Sequence, residues 1–139
     1  MAITSAIPNY SKLEALVALC PPANVYKMAL FTNAATLDKT SVTYSTANEV
    51  VGTGYTAGGI VLAGITQALD SDTAVMDFTT DPVWPTASIT ARGGVIYDST
   101  NANKIRAILD FGSDITSTNA PFVVTFPLPT AAAGLVRLV

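Results

Sequence analysis

From Ile60 onward the chain is cut into short apolar runs, IVLAGIT, AVMDFT, SITARGGVIYD, KIRAILDFG, FVVTF and LVRLV, separated by turn clusters such as LDSD and DSTNAN. A period of two marks a strand with one buried face. The clearest case is 104–111, which sets Ile105, Ala107, Leu109 and Phe111 on one side. An earlier strand is predicted over 24–32, with Tyr26, Met28 and Leu30 on one face and Val25, Lys27, Ala29 and Phe31 on the other. Between them, glycines at 52, 54, 58 and 59 offer the positive φ values that a sharp turn or bulge needs. Strands without helices between them exclude a parallel α/β fold. The chain therefore reads as mainly β, an antiparallel β-sandwich or barrel of jelly-roll-like type, with one short N-terminal helix.

That helix is expected over about 10–19, where Leu13, Leu16, Val17 and Cys20 fall at helical spacing, with Asn9 or Ser11 as its cap and Pro21-Pro22 as its stop. Residues 1–9, MAITSAIPN, read as an extended arm, and 10–139 as a single β-sandwich domain, since 139 residues suit one domain. The Thr-, Ser- and Asn-rich stretch 36–48 reads as a surface loop with a short edge strand near Val42 and Tyr44.

Composition narrows the function. Half of the residues are hydrophobic and 12% are charged, against about 25% in an average soluble domain, and mean hydropathy is +0.44. A chain this apolar is expected to offer apolar surface to a partner or to live in an assembly, because soluble monomers seldom carry large apolar patches. No run approaches the roughly 20 apolar residues of a membrane-spanning helix, so no membrane partner is expected. The first ten residues lack the basic region of a cleaved export signal. Seven basic residues, scattered, with a net charge of −3, argue against nucleic acid.

The residues also lack the usual chemistry. There is no histidine, which removes the commonest general base and zinc ligand, and Cys20, the one cysteine, has no activating neighbour and reads as a small buried hydrophobe. Asp70 and Asp72 are too few oxygens for a hard cation and fit a turn, so no metal is expected. The stretch GTGYTAGG lacks the Lys-Ser/Thr of a phosphate-binding loop, and no cofactor is expected. No catalytic set emerges, and the chain reads as a non-enzyme. Trp84, held between Pro82 and Pro85, reads as a core plug or an inter-subunit anchor. Arg92 has Asp77 or Asp98 as cross-strand partners, or reaches a partner molecule.

Four phrases, VYKMALFTNAATLDKTSVTYSTANEVVGTGYTAGG, DPVWPTASITARGGVIYDST, AILDFGSDITSTNAPFVVTFP and GLVRLV, together resemble a group of small virion proteins of tailed bacteriophages and prophages, over about Tyr10 to the C-terminus. The resemblance implies a virion structural protein of the head decoration, or capsid cement, type. Such a protein binds the major capsid protein lattice on the head surface, self-associates, and is assembled in the bacterial host cytoplasm. On that reading Ile3, Ile7 and Tyr10 of the arm, with Trp84, are the expected subunit or capsid contacts. A tail or head-to-tail junction component would share the same residues. A carbohydrate-binding module, stacking sugars on Tyr55, Trp84 and Tyr97, is the alternative from another class.

Overall fold

The computed structural model describes residues 2–139; Met1, the first residue of the expected arm, lies outside them. The elements follow in the order α1 (Asn9–Leu19), β1 (Tyr26–Phe31), β2 (Ile60–Val61), β3 (Ile65–Asp70), β4 (Thr73–Phe78), β5 (Val83–Asp98), β6 (Lys104–Val123) and β7 (Val136–Leu138). Every strand pair is antiparallel, so the chain is mainly β, with two antiparallel sheets and one short helix. The sheet orders are β2-β1-β5-β6 and β3-β4-β7. Those orders do not confirm the jelly-roll connectivity. Where one domain was expected, the chain divides into two compact units interleaved in sequence: residues 2–22, Gly64–Thr79 and Phe126–Val139 in one, Ala23–Ala63 and Thr80–Thr125 in the other.

In the first unit α1 lies against β3 and β4 and reaches β7. The helical spacing put Leu16 and Cys20 inward, and both are fully buried, whereas Val17 is exposed. Neither Asn9 nor Ser11 caps the helix. It begins directly after Pro8, whose carbonyl accepts from Ser11 N–H and Lys12 N–H, while the Asn9 amide donates through Nδ2 to Asp72 Oδ1 at 2.8 Å and accepts through Oδ1 from Lys12 Nζ at 3.4 Å. At the other end Gln67 Nε2 donates to the Cys20 carbonyl (2.8 Å), just past the helix end, and to that of Leu16 (3.3 Å), which also accepts from the Cys20 N–H. The acids of the β3–β4 turn are likewise engaged: Asp72 by Asn9, and Asp70 by the Ala131 N–H.

In the second unit β1 is central. Leu62 N–H donates to Tyr26 O and Val50 N–H to Leu30 O, each at 2.9 Å, so the even residues of β1 serve β2 and the 48–50 segment. Its odd residues therefore serve β5. Paired on both sides, β1 is buried on both faces save Lys27, which is half-buried. Ala29, Phe31, Val95 and Tyr97 form a core cluster on which Leu37, Tyr44 and Ile105 pack.

Two strand boundaries depart from the alternation pattern for physical reasons. IVLAGIT is not one strand: Gly64, at φ +73°, breaks it, sending Ile60–Val61 to the four-stranded sheet and Ile65–Asp70 to the three-stranded one. Conversely KIRAILDFG and FVVTF join, because the polar stretch between them stays paired to β5 through Ile115, Thr116, Ser117 and Ala120. Its pattern shows no apolar face, since only Ser117 of residues 112–121 is buried.

Candidate contact surface

The most chemically distinctive cluster lies in the second unit and was not legible in the sequence. The segment 48–50 runs beside β1, bridged at Phe31 and Glu49, and this register buries the Glu49 carboxylate to 7% exposure. A polar group so placed must be hydrogen-bonded. It is: Tyr44 and Tyr55 each donate a hydroxyl at 2.6 Å and Gly58 its N–H at 2.7 Å. Tyr97 donates to the Gly58 carbonyl at 2.6 Å and stacks on Tyr44 with ring centroids 4.4 Å apart. Tyr55 Oη also accepts from Leu30 N–H at 2.9 Å.

Burial, then the bond to Glu49, pushes the Tyr44 and Tyr55 phenols well above their ordinary value of 10.0. Burial, then the Glu49 charge, raises Tyr97 too. Phenols so raised stay protonated at neutral pH and serve as hydrogen-bond donors. The cluster pins the loop from Tyr44 to Gly59 onto the sheet. The expected surface loop over 36–48 is exposed except at Leu37, Ser41 and Tyr44, which are half-buried, and its edge strand reduces to a single bridge, Thr43 to Lys104. Gly59 is fixed by the same packing: it has φ +75°, and a Cβ there would overlap the Met28 carbonyl.

Of the contact residues expected from sequence, three are exposed. Residues 2–8 adopt no regular structure and are exposed throughout; Ile3 is 92% and Ile7 68% accessible, and Tyr10, on the first turn of α1, is 66% accessible. Trp84 is the correction. It is 2% exposed, its ring 5.9 Å from that of Tyr55 and 6.1 Å from that of Phe122, so it has no surface to give a subunit or a sugar. Its indole N–H is buried without an acceptor among the described residues.

Sequence reasoning also missed the form of β6. It is an edge strand of 20 residues, mostly exposed along its length. Four irregularities interrupt its pairing with β5; at two of them Arg106 has no opposite residue and Arg92 alone faces the four residues 111–114. Arg92 finds neither Asp77 nor Asp98 but Asp110, Nε to Oδ1 at 3.1 Å, since the register sets Gly93 opposite Asp110. The Gly112 N–H, then the Arg92 guanidinium, hold the Asp110 carboxyl below its ordinary value. Buried Asp98 instead orders the β5–β6 turn, accepting from Asn24 Nδ2 (2.8 Å) and from the N–H groups of Thr100 (3.1 Å) and Asn101 (3.2 Å). Comparison with protein-family models, characterised proteins and solved structures finds no match for this chain.

Proposed function

We propose that this chain is a non-enzymatic structural protein of a bacteriophage particle, a head decoration or cement protein that binds the major capsid protein lattice and stabilises the assembled head. The observation that carries the reading is the arm: a terminal segment that leaves Ile3 and Ile7 in solvent beside Tyr10, in a chain with only 12% charged residues. Covering one such isoleucine is worth about 1.5–3 kcal/mol. Contacts made only in the assembled state shift the equilibrium toward it by mass action. The phage assignment itself rests on the sequence resemblance.

The sugar-binding alternative loses two of its three rings, because Trp84 and Tyr97 are 2% and 3% exposed. The test is reconstitution. Recombinant protein added to phage heads that lack it should bind in fixed stoichiometry and raise their disruption temperature. Heads that bind it without gaining stability would sink the cement role, and labelling confined to the tail or the portal vertex would move the protein there.

A further inference from the structure

The direction of every backbone group on β6 between Ala107 and Asp110 follows from the registers. Because the odd residues of β1 serve β5, Gly93, Val95 and Tyr97 point back to β1, and the even residues Gly94 and Ile96 point to β6. Their partners Leu109 and Ala107 are thereby engaged. Ile108 and Asp110 aim their N–H and C=O groups outward, where no backbone partner meets them among the described residues. The bridge to Thr43 ends at Lys104, with Ile105 N–H donating to Val42 O at 2.9 Å. Beyond it the edge is open.

This open stretch is also grooved. Two clefts, of about 320 and 370 Å³, meet at Ile108 and have the 32–41 loop as their far bank, Leu37 lining one and Ser41 the other. Open edges are normally blunted by bulges, charges or prolines. Further along β6 that protection is present: Gly112 and Asn119 have positive φ, and Pro121 has no N–H. Residues 107–109 are left without it, and the Asp110 charge beside them is paired with Arg92.

Each copy of the chain also carries a segment matched to that edge. Residues 2–7, AITSAI, neither donate nor accept a backbone hydrogen bond among the described residues, and they carry no side-chain charge. Extended, they span about 20 Å and set Ile3 and Ile7 on one face about 13 Å apart. Pro8, without an N–H, ends the pairing segment where the helix begins.

We propose that the arm of one copy adds as a strand to the β6 edge of a second copy at Ile108–Asp110, with Ile3 and Ile7 seated in the two clefts. Backbone bonds supply the affinity and the isoleucines the register. The contact is heterologous, arm to edge, so it propagates into rings or open arrays and not into a closed two-fold pair. It does not depend on the particle reading above.

Two variants of the full chain test it. Deletion of residues 2–7 removes the arm and leaves the edge; Ile108→Pro removes an outward N–H, leaves the β5 ladder intact and keeps the arm. Circular dichroism establishes that both fold, and Ile108→Lys replaces the proline variant if it does not. In sedimentation experiments the unaltered protein should form oligomers with rising concentration, each variant alone should stay monomeric, and an equimolar mixture of the two should form one-to-one dimers. A monomer at the highest attainable concentration would overturn the proposal, as would arm amides protected from exchange within that monomer. Oligomers that survive deletion of the arm, or a mixture that fails to pair, would overturn it equally.

Discussion

β5 and β6 belong to one ladder, yet their environments are opposite. From Val95 to Asp98 every residue of β5 is buried, because β1 covers one edge and β6 the other and the core cluster fills around them. On β6 the residues facing that stretch are half-buried or exposed, with Ile108 at 38%. The difference shows where a charge-poor chain buries its residues and where it leaves them in solvent. The interior strand is over-determined by pairing, packing and the Glu49 clamp, whereas the edge is held from one side and is free to accept a further strand.

If that contrast is right, the largest effect belongs to the packed side. Gly59→Ala combines a disfavoured φ with overlap on the Met28 carbonyl and should cost about 4 kcal/mol or more, read as loss of soluble protein or a collapsed urea midpoint. A stable Gly59→Ala variant would mean that the turn is looser than described.

Next comes Glu49→Ala. It strands two hydroxyls and one N–H and should cost about 3 kcal/mol in urea unfolding. The clamp also has a pH signature. The phenols of Tyr44, Tyr55 and Tyr97 are raised above 10.0, so the folded chain holds protons that the unfolded chain releases near pH 10. Their stabilisation is complete below pH 10 and is lost as pH climbs from 10 toward the higher folded values. Glu49→Ala should flatten that alkaline loss; an identical profile would show that the clamp does not set it.

The smallest effect belongs to the edge. Ile108→Thr should change stability by no more than about 0.5 kcal/mol, since the side chain is partly in solvent and the ladder to β5 does not use its N–H. A loss comparable to that of Glu49→Ala would abolish the distinction between the two strands.

Strand character was legible wherever at least one face is apolar. Apolar runs located β1 and β4, buried on both faces, with β7 and most of β5, and alternation placed Ile105, Ala107, Leu109 and Phe111 on the more covered side of β6. It failed over 113–121, where a polar edge strand looks like a turn because neither face needs to be apolar. It failed also at the clamp, since Tyr44, Glu49 and Tyr55 lie in a stretch without periodicity and a carboxylate joins two tyrosines only after the chain has folded back. Of the residues expected at contacts, Ile3, Ile7 and Tyr10 are exposed, whereas Trp84 takes the core reading of the two its sequence allowed, because flanking prolines suit an edge as well as a core.

Composition and alternation by themselves determined a mainly β chain with one short helix, because binary pattern and proline placement act locally. Only the tertiary structure decided which strand became the edge, which carboxylate was sealed by tyrosines, and that Gly64 splits one apolar run between two sheets. Those outcomes depend on long-range register, and a period-two pattern is the same whether a neighbour covers both edges of a strand or leaves one open.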